Sequence, residues 1–217
     1  MLTVWCVLNG SKYRDEEALI LRDQVSRNLA IPHDFWCLSD RRISGIDCLV
    51  DRAGWPGWWS KLALFRYARE GRHLYLDLDC VVTGNLEPLL SDQLCMPANW
   101  GQSGHGGCQS SVMAWGRDYS AIAEAFDVTQ LHKADNGNCG SYGPRRLWGD
   151  QEFITALYGD PGKGEVKAMT GIYSYKYHAI HGLPHDAIAV AFHGEPKPGQ
   201  VNDAWVKASR SFTATRP

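Results

Sequence analysis

Apolar and polar positions along this chain fall into blocks whose period changes several times. Thr3 to Leu8 is a continuous apolar and β-branched run closed by Asn9-Gly10, the pattern of a strand buried on both faces. Asp15, Glu16 and Glu17 then precede Leu21, Val25 and Leu29 at a spacing of four, which predicts a helix with acidic residues at its N-terminus and Pro32 as its stop. A strand over Phe35 to Leu38 completes a βαβ opening. Trp55-Pro-Gly-Trp58 reads as a turn, after which Leu62, Phe65 and Arg69 share one helical face that Gly71 ends. His73 to Asp79 is predicted to be another strand.

Asn99 to Gln109 is glycine-rich and poor in apolar residues, so it reads as a loop. Ser110 to Trp115 follows as a strand and Tyr119 to Phe126 as a short helix. Leu131 to Leu147 is a second polar, glycine-rich stretch, long enough to predict a functional lid or a mobile region. Helical periodicity returns over Asp150 to Tyr158, Ile188 to Phe192 is a last apolar strand, and the tail from Pro196 onward is rich in Pro, Gly and polar residues. The chain carries no internal repeat and no linker. The expected architecture is one α/β domain over residues 1–217, with a mostly parallel sheet flanked by helices and ligands beyond the carboxyl ends of its strands.

Composition narrows the function classes. The 217 residues carry 22 Lys plus Arg against 24 Asp plus Glu, a formal net charge of −2 that advertises no polybasic footprint for nucleic acid or membrane surfaces. No apolar run approaches the roughly 18 to 20 residues of a spanning helix, and Met1 to Leu8 lacks the features of a secretory leader. Seven scattered cysteines, odd in number and never in a C-x-x-C pair, fit neither a disulfide framework nor a zinc ribbon. The expectation is a cytoplasmic protein with reduced thiols and no membrane span.

Candidate chemistry concentrates at His73-Leu-Tyr-Leu-Asp77-Leu-Asp79-Cys80. Alternation along this strand puts Leu74, Leu76 and Leu78 on one face and Tyr75, Asp77 and Asp79 on the other, converging two carboxylates at a strand end. A divalent cation would keep both ionised. A second piece is Phe192-His193-Gly194-Glu-Pro-Lys197-Pro198: a neutral imidazole completes a metal site with two carboxylates and favours manganese over magnesium, while Lys197 can reach a phosphate oxygen. Gly159-Asp-Pro-Gly-Lys163-Gly lacks the spacing of a phosphate-binding loop. Gly101-x-x-Gly104-x-Gly-Gly107 lacks the flanking strand and helix of a dinucleotide fingerprint, and Gly182 and Pro184 interrupt any helix that would align His178, His181 and His185.

Taken together the motifs resemble metal-dependent glycosyltransferases of the GT-A fold, in particular the relatives of glycogenin and the bacterial lipopolysaccharide galactosyltransferases. The matching pieces are the opening strand with Asn9 and Tyr13, Leu38-Ser39-Asp40, Trp59-Ser-Lys61-Leu-Ala-Leu-Phe65, Leu76-Asp77-Leu78-Asp79, Ser110-Ser111-Val-Met-Ala-Trp115, Gly149-Asp150-Gln151, and His193-Gly194 with Lys197-Pro198. They span nearly the whole chain in the family's order. The chain departs from the pattern after Lys197-Pro198, where Gly199 stands in place of a tryptophan.

The resemblance implies a Rossmann-like GT-A domain in which Asp77, Asp79 and His193 hold Mn²⁺, with Mg²⁺ as a substitute, on the diphosphate of a sugar nucleotide. Lys197 would face the leaving phosphates, and Asn9, Tyr13, Asp40 and Lys61 the nucleoside; Leu78, Ser111 and Gly194 complete the donor site. Asp150 and Gln151 would face sugar and acceptor, Asp150 as base or as binder of donor hydroxyls. The implied activity is transfer of a sugar from a uridine diphosphate donor to a hydroxyl of a glycan, a protein, a small molecule or a modified DNA base. A nucleotidyltransferase acting at phosphorus and a non-catalytic nucleotide-sugar binding protein are the alternatives.

Overall fold

A computed structural model describes residues 1–101, 107–133 and 137–211. The expected loop from Asn99 to Gln109, including Gly104, and the expected lid therefore lie partly outside the described residues. β1 (Leu2–Leu8) leads through α1 (Asp15–Asn28) to β2 (Asp34–Ser39) and β3 (Asp47–Val50). β4 (Arg72–Leu76), β5 (Cys80–Val82), β6 (Cys95–Met96) and β7 (Val112–Trp115) follow, then a hairpin of β8 (Gly140–Tyr142) and β9 (Arg145–Leu147), then β10 (Lys167–Ala168), β11 (Ile172–Ser174) and β12 (Ala189–Ala191). The further helices are α2 (Leu64–Tyr67), α3 (Ala121–Ala125), α4 (Asp150–Tyr158) and α5 (Ala204–Arg210).

The main sheet has the order β10-β6-β7-β4-β1-β2-β3, and β7 is antiparallel to both of its neighbours while the other pairs are parallel. Both faces are covered, which is why β1 reads as an unbroken apolar run. Leu2, Val4, Cys6 and Leu8 of β1, Leu74 and Leu76 of β4 and Val112 and Ala114 of β7 join Ala18, Leu21 and Val25 of α1 in one core. The alternate positions Trp5, Tyr75, Met113 and Trp115 pack on the opposite face with Leu62, Phe65, Ile122 and Phe153. A smaller sheet, β11-β12-β5, carries a third cluster that includes Val81, Val190, Phe192 and Val206.

Several expectations are corrected. β4 stops at Leu76, so Asp77 and Asp79 stand in a reverse turn closed by the Cys80 amide donating to the Asp77 carbonyl at 3.0 Å, and their order does not come from strand alternation. The segment expected as a helix to Gly71 is a 3₁₀ turn over Gly57–Ala63 followed by the single turn of α2. The expected lid contains the β8–β9 hairpin, and the expected tail contains α5, docked on α1 through Arg210 to Glu17 at 2.8 Å. Among the described residues no helix is long and apolar enough to cross a membrane.

Candidate active site

A cleft of about 550 Å³ opens over the carboxyl ends of β1 and β4. β1 delivers Asn9 to it and β4 delivers Asp77. Because β7 runs antiparallel, its amino end lies at the same edge, and the Ser111 carbonyl accepts from the Asp77 amide at 2.8 Å. The small sheet supplies the rest: Cys80 pairs with Ala191 across β5 and β12, and the Phe192 amide donates to the Asp79 carbonyl at 3.1 Å. That pairing brings His193, Gly194 and Lys197 to a carboxylate more than a hundred residues earlier.

The two aspartates have separate partners. Lys197 Nζ lies 2.6 Å from Asp79 Oδ2, the oxygen to which Tyr13 Oη donates at 2.7 Å. Asp77 accepts from the Tyr75 hydroxyl, and Lys61 Nζ lies 3.2 Å from its Oδ1. The same ammonium donates to Ser110 Oγ at 3.0 Å and stands 3.3 Å from Asp150 Oδ2, at the first turn of α4. Lys61 and Asp150 are both buried.

Burial and the charge of Asp79 push the Asp77 carboxyl above the usual carboxylate range, while Lys61 works against that rise. Burial opposes the charge on Lys61, yet Asp150 and Asp77 hold its ammonium above the ordinary range. Tyr13 is held protonated by burial and by the negative charge of Asp79. Burial and then Lys176 hold the His193 imidazole below its ordinary value, so it is neutral at pH 7. Its Nε2 is 2.7 Å from Ser174 Oγ, and its ring stacks on Trp100 at 5.9 Å between centroids.

The chain is similar in structure to several glycosyltransferases. An active-site mutant of LgtC superposes with a TM-score of 0.58 at 14% identity, over 90% of this chain and 89% of that one. The galactosyltransferase LgtC in complex with donor and acceptor sugar analogs gives 0.57 at 16%, over 90% and 88%. GlyE of Streptococcus pneumoniae TIGR4 gives 0.60 at 15%, over 91% of this chain but only 56% of its own. The fold is that of the GT-A glycosyltransferases. The likeness is one of fold, since no protein-family profile and no curated protein sequence matches the chain. This chain spans about half the length of GlyE.

On that glycosyltransferase fold, Asn9, Tyr13, Lys61, Asp77, Leu78, Asp79, Ser111, Asp150, Gln151, His193, Gly194 and Lys197 all line the one cleft. Asp40 does not: it is exposed, accepts from the Gly10 amide at 2.8 Å and pairs with Arg41 at 2.9 Å. Lys61, expected beside the nucleoside, stands within reach of the Asp77 and Asp150 carboxylates. Asn9 Oδ1 is buried with no hydrogen-bond partner, an acceptor left open at the cleft wall.

By its chemistry the donor set, two carboxylates and a neutral imidazole on the wall of one cleft, fits Mn²⁺. As the side chains stand, no three His, Cys, Asp or Glu among the described residues form a ligand cluster. Lysines and hydroxyls fill the positions on Asp77 and Asp79, and Ser174 engages His193 Nε2. Sequence reasoning missed Tyr75, Ser174, Trp58 and Ser60 as cleft or cleft-supporting residues. Tyr75 had a visible signal, since it occupies the Asp77 side of an alternating strand; Ser174 had none.

Proposed function

We propose that this protein is a glycosyltransferase that moves a sugar from a uridine diphosphate donor to a hydroxyl acceptor with the help of Mn²⁺, Mg²⁺ serving as a weaker substitute. The observation that carries the reading is the convergence of Asp79, Lys197 and His193 with Asp77, Lys61 and Asp150 in one cleft at the strand carboxyl ends of a glycosyltransferase fold.

Asp77, Asp79 and His193 would hold the metal, which when bound supplies positive charge against the diphosphate that leaves. Lys197 gives up Asp79 and turns to the phosphate oxygens, so that a cation already in place neutralises charge developing on the leaving group. Asn9 and Tyr13 bind the nucleoside side, and Leu78, Ser111 and Gly194 form the wall beside the sugar. The anomeric carbon–oxygen bond to phosphate breaks, and a bond to the acceptor oxygen forms. Asp150 takes the acceptor proton or holds donor hydroxyls, with Gln151 beside it. Lys61 fixes the relative position of Asp77 and Asp150. The seven unpaired thiols fit a reducing cytoplasm.

The test is turnover of uridine diphosphate sugars with Mn²⁺ present and absent. Metal-dependent release of uridine diphosphate supports the reading. Release of pyrophosphate from a nucleoside triphosphate makes the protein a nucleotidyltransferase, and donor binding without turnover makes it a binding protein.

A further inference from the structure

Few large aromatic side chains are left in water, and two of those that are stand together at the mouth of the cleft. Trp148 is 56% exposed and Trp58 38% exposed, and both line it, on either side of Gly149 and immediately before Asp150. The arrangement is built. The Trp58 indole crosses the Gly149 backbone so closely that a Cβ there would stand 3.1 Å from Nε1. On the other side the Glu152 carboxylate reaches back from the first turn of α4 to accept from the Trp148 amide at 2.7 Å, and the Arg146 guanidinium lies 4.7 Å from the Trp148 ring centroid. Backbone and ring of Trp148 are thus each held, although its packing leaves the side chain wet.

Resting on the reading of the chain as a glycosyltransferase, we propose that Trp58 and Trp148 are the acceptor side of the cleft and take the apolar face of a pyranose ring, so that the acceptor is a glycan or glycoside. An indole offers a flat, weakly hydrated surface on which the axial C–H groups of a sugar ring lose water without losing hydrogen bonds. The polar side chains that share the cleft wall with the two rings include Asn138, Asp150, Gln151 and Glu152, and the Arg146 guanidinium lies against the Trp148 ring. Such groups accept from and donate to sugar hydroxyls. Lys61 is engaged by Asp77 and Asp150 and Lys197 by Asp79, so these cations answer carboxylates inside the cleft. A polyhydroxylated ring, with apolar faces and hydroxyls that both donate and accept, is the occupant that matches the aromatic surfaces and the mixed polar groups beside them.

The test is saturation-transfer NMR on the full chain with uridine diphosphate and Mn²⁺ present. The probes are the methyl glycosides of glucose, galactose and mannose, then lactose and cellobiose. Sorbitol, which has hydroxyls without a ring, and an oligothymidylate serve as controls, and thermal shift measures uridine diphosphate binding separately. Saturation at the ring C–H protons of at least one glycoside, absent for sorbitol, is expected. Trp148→Ala lowers it about fivefold and Trp148→Tyr restores most of it, with Trp58→Ala acting in the same direction. Glycosides that receive no saturation while uridine diphosphate raises the melting temperature overturn the proposal and leave the donor reading standing. So does a signal indifferent to both tryptophans, or one seen only with the oligonucleotide. Tryptophan-dependent glycoside binding with no uridine diphosphate binding supports the sugar site and overturns the donor reading.

Discussion

Lys197 Nζ lies 2.6 Å from Asp79 Oδ2, joining the turn after β4 to the loop after β12 across 118 positions of sequence. The pair closes one side of the cleft, and Tyr13, bonded to the same carboxylate oxygen, ties the loop after β1 to it. An internal cation resting on a prospective metal ligand has a consequence for binding. On the proposed reading metal and diphosphate would bind together, since Lys197 would leave Asp79 only where phosphate oxygens offer it another partner.

Asp79→Ala therefore removes Mn²⁺-dependent donor binding while the fold survives, because Asp79 contributes charge and not core packing. In a thermal-shift titration, uridine diphosphate with Mn²⁺ raises the melting temperature of the native chain and not that of the variant, since only ligand bound to the folded state contributes. Mn²⁺ affinity equal in the two proteins would remove Asp79 from the metal site.

Lys61 is a different kind of lysine. It is buried between Asp77 and Asp150, and its loss leaves two carboxylates in the interior without a cation. Lys61→Met should cost about 3–5 kcal/mol of unfolding free energy in urea, the size of breaking a buried ion pair from one side. Lys61→Met combined with Asp150→Asn should cost less than the sum of the two single changes, because the second removes one of the stranded charges. Additive losses would show that the three groups do not act as a unit.

How much of this was legible follows from which forces are local. β1 and α1 are written in short-range periodicity, and both stand where the pattern puts them. The Asp77-Leu78-Asp79 turn was misread because Leu78 is buried like Leu74 and Leu76, so the alternation continues past the point where the ladder stops. What ends the strand is a reverse turn and a bond from Asp77 to Ser111, and neither leaves a mark on periodicity. α5 is short, and its order comes from burial of Val206 against the small sheet and from contacts with α1 such as Arg27 to the Ser209 carbonyl at 2.5 Å. Lys61 lies in the expected cleft, but its carboxylate partners come from the turn after β4 and from α4, far from it in sequence, so the pairing left no local mark. Ser174 meets His193 only because β11 and β12 pair.

His73 makes stability depend on pH. Its ring lies between Trp5 and Trp115, Nδ1 accepts from the Trp5 indole at 3.2 Å, and burial lowers its pKa to about 4. The unfolded imidazole titrates near 6.5, so between those values the unfolded chain holds a proton that the folded chain does not, and stability rises with pH. The contribution is complete above about pH 6.5 and is lost as pH falls toward 4. Between pH 7.5 and 5 the native chain should lose about 2 kcal/mol more unfolding free energy than His73→Gln, which cannot titrate. Parallel pH profiles in urea denaturation would show that the ring charges without penalty.

Asp150→Asn separates the two roles open to the residue at the head of α4. The substitution keeps the size of the side chain and removes its charge, and Lys61 retains Asp77 as a partner at 3.2 Å. If Asp150 takes the proton of the acceptor hydroxyl, kcat for sugar transfer falls by about 10²–10⁴ while KM for the donor moves little, since the lost interaction belongs to the transition state. If Asp150 instead holds donor hydroxyls, KM for the donor rises and kcat suffers less. Steady-state kinetics with the donor varied at saturating acceptor distinguishes these, and a variant with both constants within about threefold of native would place the chemistry elsewhere in the cleft.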